Sequence, residues 1–160
     1  MTDVLPGRMT HDYDGDLVVF LIGMRINRPW RLDLWLPVFM AMPAMLAELS
    51  KDKDSGLLGY RLTFGAGGPL VVQYWNSHEK LYRYASDRDG THRPAWAAFN
   101  RRVRKAPGAV GIWHETYVVE RAETIYANMP ASGLAAATSV VPVARRGETA
   151  RERLGIREAA

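Results

Sequence analysis

The sequence predicts an α+β domain with the element order β-α-β-β-α-β, and three observations carry that expectation. Leu17–Ile26 is an almost unbroken apolar run rich in branched side chains, bounded by Gly15-Asp16 before it and Asn27-Arg28-Pro29 after it. Such a run reads as a strand buried on both faces. Trp35–Asp52 then repeats Trp35, Val38, Phe39, Met42, Met45, Leu46 and Leu49 at three- and four-residue spacing, which makes one helical face. Finally, Leu57–Phe64 and Leu70–Trp75 are short apolar runs on either side of Gly65-Ala66-Gly67-Gly68-Pro69, a hairpin connection by its glycines.

The remaining elements follow in order. Within the first helix, Pro37 suits a first turn, whereas Pro43 predicts a kink or a restart. Asn76 stands three residues before Glu79, as an N-cap and its capping-box partner do, and Leu81, Tyr84 and Ala85 begin an inward face. Asp87–Thr91 interrupts that helix, and His92–Arg104 resumes it with Trp96, Phe99 and Val103. Pro107-Gly108 leads into a last strand, Val110–Val119. This is the ferredoxin-like arrangement, an antiparallel sheet with both helices on one face. Leu17–Met24 shows no polar alternation, so its second face also needs cover. An identical chain is the simplest source, which predicts a homodimer of the dimeric α+β barrel type.

The domain is expected to span residues 1–143. It includes a C-terminal arm from about residue 121, in which Ile125–Pro130 packs as a short arm and Gly133–Val143 lies over a pocket mouth or the partner. Residues 144–160 are charged and repetitive in Arg and Glu. They read as a loosely ordered tail or marginal helix, dispensable for the fold because it has no apolar face wide enough to pack.

Bulk properties narrow the function. The 160 residues suffice for one domain with a real core. There is no cysteine, which excludes disulfides, thiolate catalysis and thiolate metal sites. The four histidines, His11, His78, His92 and His114, include no pair at metal-ligand spacing, and no structural metal is predicted. Met1–Asp16 has no apolar core of signal-peptide type, and no apolar run approaches the roughly 20 residues that span a bilayer. The expectation is therefore a cytoplasmic protein with no membrane partner. The net charge of +4 is concentrated in Arg101–Lys105 and the tail from Arg145. The first cluster sits at a predicted helix C-terminus, where cations complement the macrodipole, so no nucleic-acid partner is expected. GxGxxG, GxxxxGK[ST] and GxSxG are all absent, and neither a nucleotide nor a flavin cofactor is predicted.

What remains is a group of aromatic and titratable side chains at strand ends, where Val, Ile and Leu are usual. Tyr74, Trp75, Trp113, His114, Glu115 and Tyr117 read as the wall of a pocket for a small hydrophobic metabolite. His92 shares a helical stripe with Trp96, Phe99 and Val103, which turns its ring toward the space between helix and sheet. At a helix start the dipole favours the neutral imidazole, a proton acceptor or iron ligand. The bland alternative is a histidine capped by solvent or Asp89. His114 alternates with Ile112, Thr116 and Val118 on one face of the last strand, either as a catalytic base or as a histidine hydrogen-bonded across a dimer interface. Arg25 and Asn27 at the end of the first strand are placed to hold a substrate oxyanion, unless Arg25 is paired with a carboxylate such as Glu115. Trp75, Trp96 and Tyr74 serve equally as core aromatics. His92, His114, Trp75 and Arg25 are expected to adjoin one cavity between helices and sheet.

The runs Phe20–Asn27 (FLIGMRIN), Trp35–Met42 (WLPVFMAM), Val72–Ser77 (VQYWNS), His92–Asn100 (HRPAWAAFN), Gly111–Tyr117 (GIWHETY) and Ile125–Pro130 (IYANMP) resemble the monooxygenase-like family that includes the fumagillin-cluster monooxygenase of fungi. At longer distance the chain is similar to the antibiotic-biosynthesis and haem-degrading monooxygenases, which share the dimeric α+β barrel. In the haem-degrading group a tryptophan ends the third strand, Ser and Glu open the next helix, and an iron-ligating histidine follows. Trp75, Ser77, Glu79 and His92 stand in that order here, with a slightly different spacing between Trp75 and His92. The resemblance implies an oxidoreductase that is either cofactor-free, with His114 or His92 as base and Arg25 with Asn27 on the oxyanion, or dependent on haem b bound by His92. The alternative is a homodimer that binds haem or another ligand without turnover.

Overall fold

The computed structural model describes residues 3–65, 67–87 and 92–155, apart from the side chain of residue 92. The elements in chain order are β1 (Leu5–His11), β2 (Leu17–Ile26), α1 (Leu32–Lys51), β3 (Leu57–Gly65), β4 (Gly68–Trp75), α2 (His78–Ser86), α3 (His92–Lys105), β5 (Val110–Val119), β6 (Tyr126–Met129), α4 (Gly133–Ala137), β7 (Val140–Pro142), a 3-10 turn at Val143–Arg145, and α5 (Ala150–Arg153). The main sheet has the order β3-β4-β2-β5, antiparallel throughout. That order, with the helices between strands on one face, is the ferredoxin-like arrangement.

β2 has hydrogen-bonded neighbours on both edges. Val18 lies opposite Trp75 on β4 and Val118 on β5. Side chains alternate between faces, so Val18 and Met24 turn to the helices while Leu17 turns away. On the helix side, Val18 packs with Trp75, Leu49 and Leu81, and Met24 packs with Leu34, Ala109 and Val110. On the other side, Leu17, Val72 and Tyr74 pack against Leu134.

Cover for that second face comes in part from the chain itself. β1 forms the middle of a second sheet of order β6-β1-β7, and α4 packs against both β3 and β1. A Cβ on Gly59 would stand 2.7 Å from the Ala137 Cβ, so the absence of a side chain there lets α4 lie directly on β3. On β5, Trp113 and Tyr117 remain 41% and 51% exposed on this face. β1 was not expected, because Pro6 and Gly7 break its pattern. Gly7 takes a φ of 78° and donates its amide to the Asn128 side chain at 2.9 Å, and the register shifts between Leu5 and Arg8. The ordered end of β1 is fixed by Thr124. The Thr10 hydroxyl donates to the Thr124 carbonyl at 2.7 Å, and the His11 amide donates to the Thr124 hydroxyl at 3.1 Å.

Several local expectations are corrected. α1 begins at Leu32, so Pro37 sits in its second turn rather than its first, and the helix does not restart at Pro43. Packing of α1 on the sheet outweighs the donor that each proline removes. α1 is also long and apolar enough by composition to cross a membrane, which was expected of no segment. Its outer side exposes Leu32, Leu36 and Met40. The N-cap of α2 is Ser77, whose oxygen accepts the Lys80 amide at 3.3 Å. Asn76 instead prolongs the strand pairing by donating its amide to the Gly56 carbonyl at 2.9 Å. α2 ends at Ser86, and residues 88–91 of the expected break, with Asp89, lie outside the described residues.

The charged end makes ionic rather than apolar contacts. Arg146 reaches Asp14 at 2.7 Å and Asp12 at 3.2 Å. Arg153, its side chain 5% exposed, pairs with Glu123 and donates to the Gly147 and Glu148 carbonyls at 3.0 Å. α5 itself is closed by a capping box between Thr149 and Glu152.

Two outcomes follow. Trp75 is fully buried, and Trp75→Ala is expected to lower the unfolding free energy by about 3–5 kcal/mol in a denaturant titration. His11 is held below its ordinary value of 6.5, first by burial and then by the Arg146 charge. The unfolded chain therefore takes up the proton first, and stability is lost as pH falls from 6.5 toward the lower folded-state value. Thermal melts of the native protein should show that loss, and His11→Asn should flatten it.

Candidate functional site

Strand parity creates one cavity on the helix side of the sheet. Phe20 and Ile22 of β2 and Ile112, His114 and Thr116 of β5 form its floor. Ala41, Met42 and Met45 of α1, Leu81 and Tyr82 of α2, and Trp96, Phe99 and Arg102 of α3 form its walls, enclosing about 470 Å³. A second hollow of about 270 Å³ lies alongside under α1 and shares Ile22, Val38, Met42 and Ile112 with the first.

The lining is apolar because it consists of the inward faces of α1, α3 and the two strands. Met42 and Met45 are unbranched and adaptable, so this wall can change shape. Trp96 and Phe99 stack at 5.2 Å between ring centroids, and the His114 ring lies 5.7 Å from that of Phe20. His114 is exposed to the opening and has no hydrogen bond or ion pair with a described residue. Among the described residues the cavity thus offers the His114 imidazole, the Arg102 guanidinium and the Tyr82 phenol, set in aromatic and aliphatic walls. This set can hold a flat hydrophobic molecule and exchange a proton with it.

The expected single constellation of His92, His114, Trp75 and Arg25 is corrected, because the residues separate onto two faces. His114 and Trp96 line the cavity. Trp75 is buried in the core, donating its indole N–H to the Gln73 side chain at 2.9 Å, and lines neither hollow. Arg25 has the parity of the opposite face; its Nε donates to Asn27 Oδ1 at 3.4 Å, and Asn27 donates to the Gly108 carbonyl at 3.0 Å. Tyr74, Trp113 and Glu115 also share that second face. The Tyr117 hydroxyl donates to Glu115 at 2.8 Å, which holds the phenol above its ordinary value. Trp113 lies across Gly23, where an added Cβ would come within 2.4 Å of the indole. His92 opens α3, but its side chain lies outside the described residues.

Arg102, Met42, Met45 and Tyr82 were not singled out as site residues. The available signal was the α3 spacing, since Arg102 follows Trp96 and Phe99 at three-residue steps.

A four-stranded sheet of this order with an apolar cavity under its helices defines a ferredoxin-like α+β domain. More particularly, residues 17–134 match the monooxygenase af470-like family, and the chain belongs to it. Monooxygenase af470 of Aspergillus fumigatus is 27% identical over 152 residues, covering 80% of this chain and 53% of that protein. The chain thus spans about half the length of this curated relative. Among solved structures, aldoxime dehydratase OxdRE in complex with butyraldoxime superposes with a TM-score of 0.58 at 17% identity, over 71% of this chain and 34% of the other. That likeness is one of fold. SnoaB, a cofactor-independent oxygenase from Streptomyces nogalater, is similar with a TM-score of 0.47 at 11% identity, over 68% of this chain and 97% of its own.

Filling the cavity tests it directly. Ala98 lines it from α3, and Ala98→Trp is expected to weaken binding of an environment-sensitive naphthalene dye by about tenfold or more. The melting temperature should stay close to that of the native protein.

Proposed function

We propose that this protein is a monooxygenase-like oxidoreductase acting on a hydrophobic or aromatic metabolite held in the cavity between α1, α3 and the sheet. The observation that carries this reading is the His114 imidazole, with no hydrogen bond or ion pair to a described residue, in the floor of an apolar cavity; membership of a family named for a monooxygenase agrees with it. His114 accepts a proton from an electron-rich substrate, and Arg102 stabilises the oxyanion, the role expected of Arg25 and Asn27. Trp96 and Phe99 hold the ring system. In this cofactor-free version the substrate itself supplies the electrons that reduce dioxygen.

The same donor set supports a second reading. An imidazole without a hydrogen bond to a described residue, in an apolar cavity with Arg102 available to an anionic substituent, fits haem b as well as a free metabolite. Haem would supply activated dioxygen. His114 or His92 would hold it, and the aromatic walls would exclude water from it. A homodimer formed through the exposed Trp113 and Tyr117 of β5 completes the reading, because it covers the rest of the second sheet face.

Native mass spectrometry of protein purified from its own host identifies a retained metabolite or haem. With that metabolite, dioxygen uptake is expected, and His114→Ala should reduce it about 100-fold or more without loss of fold. A Soret band on haem titration, abolished by His92→Ala or His114→Ala, would establish the haem version. Tight metabolite binding without dioxygen uptake would make the protein a binding module instead.

A further inference from the structure

On the opposite face of the sheet, three hydrogen-bond donors converge beside Gly133. The point that a Cβ on Gly133 would occupy lies 3.2 Å from the Tyr74 hydroxyl oxygen, 3.3 Å from that of Tyr126 and 3.9 Å from Arg61 Nη1. Gly133 has a φ of 53°, so the backbone conformation disfavours any side chain that would fill this point. Around it is a hollow of about 390 Å³, with Leu17, Val19, Val119 and Leu134 as apolar walls.

The donors are arranged as a receptor. Tyr74 is 8% exposed, yet its hydroxyl has no hydrogen-bond partner among the described residues. That hydroxyl opens on the hollow, where a ligand oxygen can accept its proton. Burial also holds the Tyr74 phenol above its ordinary value, so it remains a donor at neutral pH. The Tyr126 oxygen accepts the Ala135 amide at 3.4 Å, which leaves its own proton free to point into the hollow. Arg61, exposed at the rim, forms no ion pair with a described residue. Glu123 also borders the hollow, but Arg153 neutralises it.

We infer that this hollow is a second binding site, separate from the helix-side cavity, for a small organic carboxylate with a hydrocarbon body. Arg61 takes one or both carboxylate oxygens, Tyr74 and Tyr126 donate to the same group, and Leu17, Val19 and Leu134 receive the apolar part. A single guanidinium suits a monoanion better than a phosphate dianion. The site does not depend on the oxidoreductase reading.

Calorimetric titration of the full chain with octanoate, and with octan-1-ol as the neutral counterpart, tests it. Saturable octanoate binding is expected, weakened about tenfold or more by Arg61→Gln and severalfold by Tyr74→Phe, with His114→Ala unchanged. Arg61 is exposed, so Arg61→Gln should fold normally. The inference is overturned if octanoate does not bind, if octan-1-ol binds as tightly, if Arg61→Gln leaves the affinity unchanged, or if His114→Ala abolishes binding.

Discussion

The double burial of β2 organises the rest of the molecule. Its backbone is paired on both edges, and its side chains are packed on both faces, so no solvent-facing register is open to it. A one-residue slip would put Val18 where Leu17 sits and would turn every β2 side chain to the opposite face of the sheet. The helices and the second sheet are then two different answers to one requirement, that neither face of this strand be left wet.

The helix-side cavity follows from how α1 is held. Leu34 near its start packs with Met24 and Val110, and Leu49 near its end packs with Val18 and Trp75. Between these anchors the helix presents Ala41, Met42 and Met45, which are too small or too pliant to close the gap to β5. Stability and ligand space are thereby assigned to different turns of one helix. The space can be altered at its centre with little effect on the anchors.

Most of this frame was legible in the sequence, because the periods of the four main strands and of the helices are strong. The apolar β2, the glycine hairpin between β3 and β4, and the alternation of β5 all correspond to the structure. The second sheet was not legible: β1 combines Pro6, Gly7 and Arg8, and its pairing with β6 and β7 depends on residues far along the chain. Parity on β5 was readable and placed His114 apart from Trp113 and Glu115. What was missed was that Arg25 and Tyr74 carry the opposite parity, since each lies at an odd step from the neighbours that face the helices. Trp75 has the right parity but is sealed under α2 by Leu81, a tertiary fact with no local signal.

The position of β1 bears on the order in which the molecule can assemble. The bonds that fix its ordered end join His11 to Thr124 across 113 residues, and its two strand partners come from β6 and β7, after the main sheet is complete. Closing so long a loop is favourable only when the intervening chain is already compact. The four-stranded sheet is therefore the platform on which the three-stranded one forms. During synthesis, β1 leaves the ribosome before β6 and β7 and waits for them before this pairing can form.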